Sequence, residues 1–336
     1  MFDNLRSPEI IHFVEAHLNT SCEHLNIIKL AGDASDRQYF RLSYKNKTWI
    51  LLQREPFEPS RDPYLNIQTH LQKNDIHVPQ IYAVSGNLGA FLIEDFGDEL
   101  LDKVYRHLGP KAAAKYYFLA LDELLKFHID ASSNLEGCVA TKHRLDEKKF
   151  LAELEFMKEH LIQNHLQKKI SPEENKVLQT GFQKISSHLN EEPLCLCHRD
   201  YHSKNLLMTK QRIGIVDFQD ARLGPCHYDV ASLLRDSYIQ LPEPLVEDLL
   251  KYYLFEKEQR LKKPLSYEAF VMAFDWVSIQ RNLKAMGSFG YLKTVKQKSQ
   301  YLEYLKPTWI SAQKNLKKFK ELEAFHEVLE NLFGDL

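Results

Sequence analysis

Long apolar runs are missing from this chain of 336 residues. No segment approaches the ~18 uncharged apolar residues that a membrane span needs, so no membrane partner is expected. The opening Met1-Phe2-Asp3-Asn4-Leu5-Arg6-Ser7-Pro8 has no basic region leading into an apolar stretch, which is the plan of a secretory leader. Cysteine is sparse. Its five positions (Cys22, Cys138, Cys195, Cys197, Cys226) form an odd, scattered set, which excludes a disulfide framework and fits a reducing cytoplasm. Neither sign of charge is in excess: 44 Lys and Arg against 46 Asp and Glu leave a formal −2, with no electrostatic ground for nucleic acid as a partner. Glycine is scarce as well, at 12 residues.

What remains is an ordinary folded composition, 44% apolar and 27% charged. At ~100–200 residues per domain, the length allows about two compact units. The first third reads as one helix and then strands. Ser7-Pro8-Glu9 supplies an N-cap, a proline for the first helical position and an acid for the first turn, ahead of Ile10, Val14 and Leu18 on one face. Ile27 to Leu30, Gln38 to Ser43 and Trp49 to Gln53 are strand-like, with Tyr44-Lys45-Asn46-Lys47 as a hairpin turn. Asp62-Pro63 starts a helix to about Lys73, and Gln80 to Val84 and Ala90 to Glu94 are two further strands.

From about Lys111 long helices take over. Phe150, Leu154, Met157 and Leu161 share a face, as do Leu178, Phe182, Ile185 and Leu189 behind a Ser171 to Glu174 capping box. Later, a helix from about Tyr267 to Met286 is expected to stop at Gly287. The basic run Lys314 to Glu321 reads as the solvated face of a terminal helix.

The chemistry is concentrated between the helical runs. Leu196-Cys197-His198-Arg199-Asp200-Tyr201-His202-Ser203-Lys204-Asn205 follows a short apolar strand, and Ile215-Val216-Asp217-Phe218 ends another. Transfer of a phosphoryl group from ATP passes through a loose transition state, so the protein mainly positions groups and neutralises charge. Asp200 is placed to meet the attacking hydroxyl, while Asn205 and Asp217 offer a neutral and a charged oxygen to Mg²⁺. His198 is read as structural, holding the loop. Cys195-x-Cys197-His198 looks like part of a metal site, but no second ligand pair is spaced to complete a tetrahedron, and the cysteines are expected to be buried in a strand.

These motifs make the chain resemble the aminoglycoside phosphotransferase-like kinases. Within them it is most similar to the anomeric sugar kinases that act on N-acetylmuramic acid and N-acetylglucosamine in cell-wall recycling. The narrower likeness rests on Gly32 to Arg41, Leu92 to Asp98, His198 to Leu206, Asp217 to Ala221, Gly224-Pro225, Tyr228-Asp229, Ser232 to Asp236 and Gln280 to Lys284. The resemblance implies an α+β, two-lobed protein-kinase-like fold. Residues 1–97 would form the nucleotide-binding lobe, and residues 98–336 the helical catalytic lobe. It implies ATP and Mg²⁺, a small sugar as acceptor, and a sugar 1-phosphate nucleotidyltransferase acting downstream. It further suggests that Asp229 braces the catalytic loop from a helix.

Two departures from kinases in general stand out. The glycine-rich phosphate loop is reduced to Gly32 with Ala34 and Ser35, and the strand lysine that usually pairs with the phosphates is absent. Ser35, Arg37, and Gln53 or its neighbour Arg54 are candidates for the nucleotide phosphates. Glu94 and Phe96 fall in the linker expected to meet adenine. On the acceptor side, His202 and Asp220 sit on the two loops that carry the catalytic groups, and Arg235 and Arg281 would suit a carboxylate. A kinase of an aminoglycoside or amino alcohol, or a nucleotide-binding module without turnover, are the alternative readings.

Overall fold

The computed structural model describes residues 7–30, 37–210, 212–334 and 336. Helix α1 (Pro8–Leu18) starts as its sequence suggests, with the Ser7 hydroxyl accepting from the Ile10 amide. Five antiparallel strands follow: β1 (Asn26–Lys29), β2 (Gln38–Tyr44), β3 (Lys47–Gln53), β4 (Ile81–Ser85) and β5 (Ala90–Glu94), in the order β1-β2-β3-β5-β4. Helix α2 (Pro63–Lys73), capped by Asp62, is inserted between β3 and β4.

The two faces of this sheet are apolar for different reasons. Phe40, Leu42, Leu51 and Leu92 pack under Ile10, Phe13 and Val14 of α1, forming a small core of their own. Ile50, Leu52, Phe91 and Ile93, one residue out of phase, face Tyr64, Ile67 and Leu71 of α2 and join the main core of the molecule. Period-two alternation therefore decides which side chains of β3 can reach the cleft behind the sheet.

The larger part is helical. Helix α3 (Leu101–Leu125) is two stretches joined at Gly109-Pro110, where Gly109 takes φ 75° and the proline restarts the helix. Helix α4 (Glu147–Met157) runs on through a π turn to His165, and α5 (Pro172–Asn190) opens with the complete Ser171–Glu174 capping box. Two small strand pairs, β6 (Leu194–Cys197) with β9 (Arg222–Pro225) and β7 (Leu206–Met208) with β8 (Ile213–Ile215), frame the loops that carry the motif. Helices α6 (His227–Leu234), α7 (Glu243–Leu261), α8 (Tyr267–Thr294), α9 (Leu305–Leu316) and α10 (Glu323–Phe333) complete the chain.

Helix α8 corrects an expectation. It runs seven residues past Gly287, because that glycine serves close packing rather than termination. A Cβ at Gly287 would come within 2.5 Å of the Met157 Cα, and one at Gly290 within 2.5 Å of the His160 carbonyl oxygen. The basic run near the end is likewise split: α9 ends at Leu316, and Lys318 turns to pair with Asp275 of α8 at 2.7 Å. Among the described residues no helix is long and apolar enough to cross a membrane.

Candidate active site

Strand β6 delivers the motif loop into the interior, and buried carboxylates fix its shape. Asp229, in the first turn of α6 and fully buried, accepts from the backbone amides of His198 (2.6 Å) and Arg199 (2.8 Å) and meets His128 Nε2 at 3.2 Å. The brace is needed because Arg199 takes φ 82°, a left-handed conformation that a non-glycine residue adopts only when its surroundings hold it there. Asp236, at the other end of α6, accepts from the Ser203 amide at 2.9 Å and from its hydroxyl. His198 meets the Val216 carbonyl through Nε2 at 3.0 Å and receives the Asp200 amide on Nδ1 at 3.3 Å. Its ring thus joins the loop to the segment bearing Asp217, in keeping with a structural role.

Asn205 closes the loop on itself. Its Nδ2 donates to the Asp200 carbonyl at 2.9 Å, and its own carbonyl accepts from Val216 at 3.1 Å. With the amide nitrogen so committed, Oδ1 is the atom Asn205 can offer a cation. Asp217, also at positive φ (64°), follows β8 and accepts from Gln219 at 2.7 Å. Burial raises its carboxyl above the usual range, against the Gln219 hydrogen bond and the nearby His198. An amide oxygen and a carboxylate on two loops tied by hydrogen bonds are the hard donors that suit magnesium, so these residues fit that ion.

Asp200 points into a cavity of about 110 Å³ between the loop, α6 and α8. Lys284 of α8 reaches its Oδ1 at 3.0 Å. Burial acts to raise the Asp200 carboxyl, but Lys284, Arg199 and Arg281 together hold it well below the usual carboxylate range. Arg281 stacks on the Tyr228 ring at 4.5 Å and donates to the Arg199 carbonyl at 2.7 Å. His202 lines the same cavity, edge-on to Tyr238, and burial pushes its imidazole down to about 3, so it is neutral there. Arg235 also lines it while pairing with Glu243 at 2.8 Å.

A larger cleft of about 630 Å³ lies between the sheet and the loops. Arg37, Glu94 and Phe96 line it together with Asn205 and Asp217, and the Arg37 guanidinium lies 3.8 Å from Asp217. The linker past β5 is clamped by Arg41 of β2, which binds Asp95 at 2.7 Å and Asp98 at 2.5 Å. Phe96 packs against His77.

Some sequence candidates fall elsewhere. Gln53 pairs with Gln38 and Ala90 and so lies on the sheet face toward α1, away from the cleft; it is buried, and its amide meets no partner among the described residues. Arg54 is on the cleft side of the register but is spent on Asp62, with its guanidinium 4.0 Å above the Phe57 ring. Of the phosphate candidates among the described residues, only Arg37 reaches the cleft. Gly32, Ala34 and Ser35 lie outside the described residues. Asp220 lines the large cleft beside Asp217, not the Asp200 cavity, and sits 3.7 Å from Arg199.

Lys284 was missed by sequence reasoning. Its signal was present: Arg281, Lys284 and Ser288 recur at helical spacing and all line the Asp200 cavity. The cysteine cluster does not form a complete metal site. His128, Cys195 and Cys197 bring ligand atoms within 4.8 Å of one another. Both His128 nitrogens are taken by Tyr253 and Asp229, and the two thiols face the Gly224 and Pro225 carbonyls.

Two lobes meeting at a cleft, with an aspartate loop and a metal-type carboxylate tied together on its helical side, define a protein-kinase-like phosphotransferase. The profile of the phosphotransferase enzyme family matches residues 26–263, and the chain belongs to that family. It is an ATP-dependent kinase with a hydroxyl group as acceptor. Among curated relatives, the N-acetylmuramate/N-acetylglucosamine kinase of Neisseria meningitidis is 28% identical over 309 residues, 91% of this chain and 90% of that one. The Pseudomonas aeruginosa kinase of the same name is 29% identical over 278 residues, 82% and 79% of the two chains. Among solved structures, an ADP-bound aminoglycoside phosphotransferase aligns over 96% of this chain and 99% of its own at TM-score 0.59 and 18% identity. A choline kinase from Cryptosporidium parvum aligns over 97% and 99% at TM-score 0.62 and 14% identity. These two likenesses concern the fold.

Proposed function

We propose that this kinase phosphorylates the anomeric C1 hydroxyl of N-acetylmuramic acid, N-acetylglucosamine or both, acting in the cytoplasm. The observation that carries the reading is the match, over about nine tenths of both chains, to a kinase named for these two sugars. The chemistry of the Asp200 cavity supports it. Arg281 brings a guanidinium to its wall, which suits the lactyl carboxylate of a muramic acid, whereas the cationic acceptors that an aminoglycoside or choline kinase would take call for a carboxylate-rich cleft.

In this scheme residues 1–97 hold the nucleotide and residues 98–336 the acceptor. Asp200 orients the sugar hydroxyl for in-line attack on the γ-phosphorus and receives its proton late. A carboxylate held so far below its usual range is a weak base, and a loose transition state asks little of it. Asn205 and Asp217 hold Mg²⁺, which when bound neutralises charge on the ATP phosphates. Glu94 and Phe96 border the adenine end of the cleft, while Arg37 borders the phosphates. His202, neutral and buried, offers the sugar a hydrogen bond, and Arg281 faces its carboxylate. Asp220 acts from the nucleotide side. The product would feed a sugar 1-phosphate nucleotidyltransferase.

The test is ADP formation from ATP-Mg with N-acetylmuramic acid, N-acetylglucosamine, kanamycin and choline, followed by phosphorus and carbon NMR of the product. Turnover on an N-acetylated sugar with the phosphate on C1, falling at least ~10²-fold in Asp200→Asn, is expected. Turnover on kanamycin or choline but not on the sugars, or a full rate in the variant, overturns the reading.

A further inference from the structure

Phosphoryl transfer is helped by cations beside the migrating group; Arg37 reaches the cleft from the nucleotide side, but the cleft face of β3 offers none. Leu52 faces the cleft side without charge, and Arg54 is bound to Asp62. On the opposite wall, Lys284 projects from the middle of α8 and holds Asp200 Oδ1 at 3.0 Å with only 16% of its side chain exposed. Asp200 lies one hydrogen bond from the hydroxyl that attacks phosphorus, so an ammonium in contact with Asp200 is within one further contact of the reacting atoms.

The mounting of this lysine is rigid. Gly287 and Gly290, on the turns after it, let α8 lie directly against the backbone of Met157 and His160. One turn before it, Gln280 is buried and donates to Glu153 at 2.9 Å, and Glu153 also lies 3.5 Å from Arg199 of the catalytic loop. Lys284 is therefore carried by a helix locked to the loop it serves.

Resting on the phosphotransferase reading above, we propose that Lys284 is a positioning residue for phosphoryl transfer. It sets Asp200 against the acceptor hydroxyl and adds, from the acceptor side, positive charge to that which Arg37 brings from the nucleotide side. It acts on the transition state more than on either bound substrate, because its partner is the group that meets the attacking oxygen rather than the nucleotide.

The experiment compares wild type, Lys284→Ala and Lys284→Arg, each first shown to be folded by its thermal melt. For Lys284→Ala the expected result is a loss in kcat of about 10²–10³-fold with KM for ATP and sugar unchanged. Lys284→Arg should retain more activity than Lys284→Ala, and added ethylammonium should restore part of the alanine variant's rate. A second arm needs no sugar: calorimetric affinity for Mg-ADP, with and without aluminium fluoride as a mimic of the migrating phosphoryl group. The fluoride should tighten binding to wild type and lose that effect in Lys284→Ala while ADP alone binds as before.

An unchanged kcat, an alanine variant whose loss lies in KM alone, or an aluminium fluoride effect equal in wild type and variant overturns the proposal. A wild type inactive on both sugars sinks the sugar reading alone, since the fluoride arm still scores Lys284.

Discussion

Asp229 shows how much one buried carboxylate can organise. Its two oxygens satisfy the amides of His198 and Arg199 and face His128, and the left-handed Arg199 turn depends on that support. Replacing it by alanine would leave two buried donors unmet, at about 1–3 kcal/mol each. Asp229→Ala should therefore lower the urea midpoint and reduce kcat as the loop relaxes. Melting unchanged from wild type would show that the brace is unimportant. Lys284, by contrast, is expected to affect turnover more than stability, because half-buried Asp200 keeps Arg199 and Arg281 nearby when the lysine is lost.

Among the elements, α8 makes the sharpest prediction because two effects oppose each other. A glycine-to-alanine change inside a helix ordinarily stabilises by about 1 kcal/mol. At Gly287 the new methyl would meet the Met157 backbone at 2.5 Å, and overpacking of this kind costs about 1–3 kcal/mol. Gly287→Ala is thus expected to lower the melting temperature; a rise would mean that the helices part easily. The helix starts were legible in sequence at Ser7, Asp62 and Ser171, where the capping atoms lie within three residues of the amides they serve. The stop expected at Gly287 failed because a glycine that ends a helix and one that lets two helices touch look the same along the chain.

For the whole molecule, the question is how sheet and helices are held at the cleft. Arg41 of β2 binds Asp95 and Asp98 of the linker, and the Asp95 side chain is only 4% exposed. Removing one partner of such a pair leaves an uncompensated charge and costs about 3 kcal/mol. Arg41→Ala is expected to destabilise the protein by roughly that amount in chemical denaturation, and to raise KM for ATP more than it lowers kcat. An unaltered KM would show that the clamp does not shape a nucleotide site in the cleft. The two-lobed fold itself was legible, because a change from alternating to helical periodicity, read at about Lys111, is written into consecutive residues, although the first long helix already opens at Leu101.

The sequence by itself determined the order of the elements, the helix caps and the loop from His198 to Asn205, since each depends on neighbours a few residues apart. The tertiary structure decided which residues from distant segments share a cavity. It set Lys284 against Asp200 across 84 positions, turned Gln53 to the far face of the sheet, consumed Arg54 on Asp62 and placed Asp220 in the large cleft beside Asp217. The physical reason is that local spacing specifies backbone conformation, whereas a salt bridge or a shared pocket exists only after α8, the sheet and the loops have packed together and fixed which polar groups lose water to one another.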